Sequence, residues 1–140
     1  MHYEDIAKSN LREPALRYEN KVIHHQDLYQ YVIKLTEFLL KNDYSQGDVL
    51  AIGHTKKPLS YALMLAALRI GISYVILDVN SPVDRTKKIL DVCQPRSIFY
   101  DDIILSCYME EISEICQIKA LLIDIETNYQ IFYPFGMMMF

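Results

Sequence analysis

Residues Lys57 to Arg85 read KPLSYALMLAALRIGISYVILDVNSPVDR, and the fold is decided in this stretch. Pro58 suits the first position of a helix, because it has no N–H to leave unpaired and its φ is already helical, while the residue before a proline is steered out of the helix. From Tyr61 to Leu68 nearly every residue is apolar, so a helix here needs cover on more than one side. Gly71 supplies the left-handed conformation that closes a helix. Tyr74-Val75-Ile76-Leu77 is a continuous apolar run of strand length, the pattern of a parallel strand buried on both faces, and Asp78 ends it. Ser81-Pro82-Val83-Asp84 has the form of a capping box, with proline at the first helical position and an acidic side chain able to reach back to the cap N–H. The stretch therefore predicts one αβα unit.

The flanking sequence repeats that alternation. Toward the amino terminus, Leu16-Arg17-Tyr18 and Val22-Ile23 flank Glu19-Asn20-Lys21, which predicts a small β-hairpin, Asn being tolerant of a left-handed turn. From Gln26 the period becomes helical: Leu28, Tyr31, Val32, Leu35, Phe38 and Leu39 form one stripe, with Asn42 placed to stop the helix. Ser45-Gln46-Gly47-Asp48 turns the chain into a strand over Val49-Leu50-Ala51-Ile52. Toward the carboxyl terminus, the second helix of the central unit runs from Pro82 to about Val92, and Gln94-Pro95 ends it. Ser97-Ile98-Phe99-Tyr100 is a third strand. Ile104, Leu105, Tyr108, Met109, Ile112 and Ile115 predict an amphipathic helix, and Ala120-Leu121-Leu122-Ile123-Asp124-Ile125 a last strand. Strands alternating with helices at this spacing give an α/β fold, a layered, mostly parallel sheet covered by helices. Residues 14–126 form the core of one domain in this reading. Residues 1–13 are a lead-in, and residues 127–140 are an irregular hydrophobic tail with aromatics and methionines but no clear period.

With 140 residues the chain is one domain by length, long enough to bury about 68–70% of its unfolded surface. The 51% hydrophobic content supports a core, and a formal charge of −4 argues against nucleic acid as a partner. No apolar run approaches the ~20 residues that span a bilayer, and MHYEDIAKSN lacks both regions of a signal peptide, so a cytoplasmic protein without a membrane role is expected. Cys93, Cys107 and Cys116 are odd in number and contain no CxxC pair, which suits free thiols.

Each constellation that could carry chemistry has a plainer reading. Gly53-His54-Thr55-Lys56-Lys57 follows a parallel strand, where such sheets bind ligands, but it lacks the repeated glycines of a phosphate cradle and leads into a proline; a solvated basic turn is the expectation. His24 and His25 are adjacent and point apart in either a strand or a helix, so they mark a helix start and not a metal pair. Asp101-Asp102 with Asp78 could suggest an acidic pocket, but turns and helix caps are the simpler reading. The 11 tyrosines fall mostly at inward positions and read as core with a polar tip. No catalytic, cofactor-binding or metal-ligating set is assigned, and no cofactor is expected for the isolated chain.

Leu68-Arg69-Ile70-Gly71-Ile72-Ser73-Tyr74-Val75-Ile76-Leu77-Asp78 resembles the LKAGxAYVPLD signature of the amino-acid adenylation domains of nonribosomal peptide synthetases, within the acyl-CoA synthetase and luciferase superfamily. Ile23-His24-His25-Gln26-Asp27-Leu28 stands where that family has LTYxEL, and Pro82-Val83-Asp84-Arg85 where it has PxxR. The motif residues carried over are Leu68, Gly71, Tyr74, Leu77, Asp78, Pro82 and Arg85, all as structural positions. Ile76, Val79 and the His24-His25 pair depart from the family pattern. The family's phosphate-binding loop, of the type TSGTTGxPK, has no counterpart in these 140 residues. The resemblance therefore implies the first subdomain of an adenylate-forming enzyme, truncated before its active site and inactive alone. It would act as an interaction or scaffold element in nonribosomal peptide synthesis, or as one part of a split ATP-dependent ligase. Its partner would be a second copy or an adenylating synthetase chain.

Overall fold

The computed structural model describes residues 14–18, 21–123 and 132–134. Strands β1 (Pro14–Tyr18) and β2 (Lys21–His24) pair antiparallel as the expected hairpin, whose turn at Glu19-Asn20 lies outside the described residues. Helix α1 (His25–Lys41) begins directly at the histidine pair, with His24 as its cap residue. Leu28, Val32, Leu35 and Leu39 of the predicted stripe are buried, whereas Tyr31 and Phe38 lie half-buried at its rim. The helix ends at Lys41 with Asn42 as its cap, as the sequence suggests, but the left-handed residue comes one position later. Asn42 keeps a negative φ, and Asp43 takes the left-handed conformation at +63°, so that Tyr44 N–H can reach back to the Leu39 carbonyl.

The main sheet has five strands in the order β4-β3-β5-β6-β7. Strands β3 (Val49–Gly53), β4 (Ser73–Leu77), β5 (Ser97–Tyr100) and β6 (Ala120–Ile123) are parallel; β7 (Phe132–Pro134), three residues of the stretch expected to be irregular, is antiparallel to β6, and the rest of residues 127–140 lies outside the described residues. Residues 124 and 125, expected to extend β6, lie outside the described residues. Side chains alternate across the pleat. Leu50, Ile52, Phe99, Leu121 and Ile123 face α1 and α2 (Pro58–Arg69) on one side of the sheet. Ala51, Ile98, Tyr100, Ala120 and Leu122 face α3 (Val83–Cys93) and α4 (Ser106–Cys116) on the other. Each face carries its own apolar core.

The central unit forms as predicted in outline and differs in two details. Gly71 has φ +78°, with its N–H on the Leu68 carbonyl and Ile72 N–H on the Ala67 carbonyl, the paired bonds of a left-handed helix stop. The strand after it is parallel but not buried on both faces. Strand order makes β4 the outermost of the parallel strands, so Tyr74 and Val75 are half-buried, Ile76 is 42% exposed, and Leu77 alone of the apolar run is buried. An apolar run reports the pleat's two faces but not whether both edges have neighbours. The capping box also fails to form: α3 starts at Val83 with Pro82 in the cap position, and no side chain caps it. Ser81 belongs to a turn with Asp78, and its carbonyl accepts the Tyr108 hydroxyl at 2.9 Å.

After β5 a short 3-10 turn (Ile103–Leu105) precedes α4. This turn shifts the helical phase, so Leu105, Met109 and Ile112 are buried while Ile104 and Ile115, expected inward, are exposed. At the amino end of the sheet, the Arg96 guanidinium lies over the Tyr44 ring at 4.1 Å and donates to the carbonyls of Asn42 at 2.6 Å and Asp43 at 2.7 Å. It also pairs with Asp48 at 3.1 Å, so one cation closes the carboxyl end of α1 onto the start of β5.

Candidate functional site

The chain enters the parallel sheet at β3, steps outward to β4 and then returns across β3 to β5 and β6. This reversal places a topological switch point between β3 and β5, and in open α/β sheets the crevice at the carboxyl ends of those strands is where ligands bind. Two segments meet there: the loop His54–Lys57 after β3 and the pair Asp101-Asp102 after β5. Because β3 and β5 are paired in register, Gly53 lies opposite Tyr100 and Asp101 N–H donates to the Gly53 carbonyl at 3.2 Å.

The Asp101 carboxylate fills the crevice. Its side chain is fully buried. Thr55 N–H donates to both carboxylate oxygens at 2.9 Å, and the Thr55 hydroxyl adds a bond of 2.7 Å. Lys57 N–H donates at 3.2 Å, and the Ser60 hydroxyl, in the first turn of α2, at 2.6 Å. Lys56, between the two donating amides, has φ +68°, and such a left-handed residue turns the flanking N–H groups inward to make an anion-binding concavity. Here the anion is the protein's own. The positive end of α2 and the loop amides, which could otherwise hold a phosphate, are satisfied by Asp101.

Around this knot further polar contacts form. Asp102 accepts from Ile104 N–H at 3.0 Å and from the Lys57 ammonium at 3.2 Å. The backbone bond from Ile104 is the largest influence on its carboxyl and holds it below the usual range; burial opposes this, and the Lys57 ammonium adds to the lowering. His54 packs edge-on against Tyr61, with ring centroids 4.8 Å apart, and its Nδ1 accepts from Lys56 N–H at 3.3 Å. Burial pushes the imidazole below its ordinary pKa, with Lys56 acting in the same direction and Asp101 opposing.

The sequence reading singled out the β3 loop and the Asp101-Asp102 pair separately, and the structure brings them together. Asp102 is the cap it was expected to be; Asp101 is neither a cap nor part of an acidic pocket. Asp78 accepts from Asn80 N–H at 2.9 Å in its own turn after β4. The family-motif residues line no common site. Leu68 and Arg85 are exposed on α2 and α3, Gly71 and Pro82 terminate helices, and Tyr74 and Leu77 belong to β4. All three cysteines are free thiols. Among the described residues no cluster of His, Cys, Asp and Glu is arranged to hold a metal ion, and no helix is long and apolar enough to cross a membrane.

A doubly wound sheet with four parallel strands, helices on both faces and an amino-terminal hairpin is the frame of an adenylate-forming subdomain. The sequence profile of the AMP-binding enzyme family matches residues 3–131, and the chain belongs to that family. Among curated relatives, malformin synthetase from Aspergillus tubingensis is 37% identical over 67 residues, 48% of this chain and 1% of the synthetase. The D-alanine–D-alanyl carrier protein ligase of Staphylococcus haemolyticus is 28% identical over 95 residues, 68% of this chain and 19% of the ligase. Among solved structures, the amino-terminal subdomain of NpsA from Klebsiella oxytoca, in complex with 3-hydroxybenzoyl-AMSN, superposes with a TM-score of 0.67 at 27% identity, over 72% of this chain and 26% of that one. VinN in complex with 3-methylaspartate superposes with a TM-score of 0.78 over 87% of this chain and 33% of VinN; at 15% identity this likeness is one of fold alone. The chain thus spans a third or less of each of these four proteins.

Proposed function

We propose that these 140 residues work as a binding element and not as a catalyst: an adenylation-type subdomain that serves nonribosomal peptide synthesis through its surfaces. The observation that carries this reading is the crevice closed by Asp101. Adenylyl transfer needs groups that hold and neutralise phosphates, and here the donors at the switch point already hold a carboxylate. A phosphate brought to the same place would meet a buried negative charge. The exposed surfaces suit contact instead, since Leu68, Ile76, Ile103 and Ile104 all present apolar area to solvent. A symmetric homodimer in the cytoplasm is the simplest arrangement, with an adenylating synthetase chain as the competing partner.

The coverage of the matches favours a second reading, in which this subdomain completes a split amino-acid-activating ligase whose phosphate loop lies on other residues. Amino-acid-dependent exchange of pyrophosphate into ATP tests both. The isolated chain is expected to give background exchange only, and exchange by the pure protein would overturn the binding reading. Exchange that appears only when an adenylating partner is added would favour the split ligase. Light scattering after size exclusion tests the dimer directly.

A further inference from the structure

The loop after β3 holds three consecutive backbone amides, and they do not share an acceptor. Thr55 N–H and Lys57 N–H go to Asp101, while Lys56 N–H, between them, goes to Nδ1 of His54 at 3.3 Å. An imidazole accepts at Nδ1 only while that nitrogen carries no proton, so this bond requires His54 in the neutral tautomer with its proton on Nε2. The same Nδ1 lies 3.7 Å from Oδ2 of Asp101, just outside hydrogen-bond reach. A proton taken from solvent at Nδ1 therefore removes one bond and makes another attractive. The Lys56 amide loses its acceptor, and the imidazolium gains a charged acceptor in Asp101.

We propose that His54 is a pH-operated latch on the β3–α2 loop, holding the Lys56 amide when neutral and turning from it to the Asp101 carboxylate when protonated. The residue it holds is the one residue of the loop in the left-handed region, at φ +68°, a conformation that a lysine adopts only under constraint. Four groups face the imidazole or its neighbours. Asp101, from the loop after β5, attracts the proton; Lys56, from the loop of His54 itself, repels it; Tyr61, from α2, presents its ring; and Lys57 is paired with Asp102. Burial and Lys56 together outweigh Asp101, so the latch stays neutral until the pH falls below the ordinary histidine value of 6.5. The sign for stability follows. The unfolded chain takes up the proton first as pH falls, so the neutral latch contributes stability above that value and loses it as pH drops through the folded-state pKa.

Heteronuclear NMR on the intact chain tests the latch. The His54 ring protons and the Lys56 amide are expected to titrate together, with one midpoint below 6.5, and the Lys56 amide is expected to move more than the Thr55 and Lys57 amides, which keep Asp101 as their acceptor. In His54→Gln the Lys56 amide should lose its titration. A Lys56 amide that stays constant while His54 titrates would overturn the proposal, as would a His54 midpoint at or above 6.5. A transition shared equally by all three amides would also overturn it, because it would show no loss specific to the Lys56 amide. Should the Gln variant fail to fold, the titration of the unmodified chain decides alone.

Discussion

At the carboxyl end of the sheet an anion, Asp101, sits at the start of α2; at the amino end a cation, Arg96, sits at the end of α1. Both placements follow helix polarity, and both tie a loop beside the central strands to a helix terminus. They differ in depth. The Asp101 side chain is wholly buried, whereas that of Arg96 is 39% exposed. The Asn42 and Asp43 carbonyls on Arg96, just past the helix end, can exchange it for water, and the amides on Asp101 have no such exchange. Similar charge logic thus gives one contact that can be lost locally and one whose loss leaves buried donors unpaired.

Asp101→Ala should have the largest effect, lowering unfolding free energy by about 3 kcal/mol or more, because several donors lose a charged acceptor at once. Urea unfolding midpoints measure it, and a loss no larger than that of Arg96→Ala would end the contrast. Gly71→Val tests the other end of α2. A β-branched residue at φ +78° with Gln46 against its Cβ should cost about 2 kcal/mol, and coincident midpoints would mean that the helix stop tolerates a side chain. Arg96→Ala should cost about 1 kcal/mol, partly screened by salt, while the Asp101 effect should hardly change with salt. Arg96→Lys should recover little, since an ammonium cannot fork across two carbonyls. Ser60→Ala removes one of several donors to Asp101 and should cost least, about 0.5–1 kcal/mol.

Most of the fold was legible, because it rests on local signals. The period of Leu28, Val32, Leu35 and Leu39, the proline at position 58 and the glycine at position 71 each act within a few residues, and β5 falls on the very residues its apolar run marks. The edge position of β4 was not legible, since strand order is a property of the whole sheet. The failed capping box has a similar cause: Ser81 is held by Asp78 and Tyr108, the latter 27 residues away. The candidate site was half legible. Its two segments stood out, yet Thr55 and Asp101 are 46 residues apart, and no periodicity joins them until β3 and β5 are known to be neighbours. A buried aspartate directly after a short strand, with Thr and Ser near the start of an earlier helix, is the signal that could have found the site.

The central position of β3 also has a kinetic consequence. It is the first strand of its sheet to leave the ribosome, yet it pairs with β4 and β5, both made later, and Gly53 must wait for Tyr100 before that register can close. At about 5–20 residues per second the interval lasts seconds, during which Leu50 and Ile52 lack their neighbour on the β5 side. Parallel pairing gives no hairpin to fill the gap, so the two strands that end as the best-buried core begin as exposed nascent chain. Assembly of this sheet is therefore timed by synthesis, and a pause in translation after β3 should lengthen the interval in which a chaperone can bind.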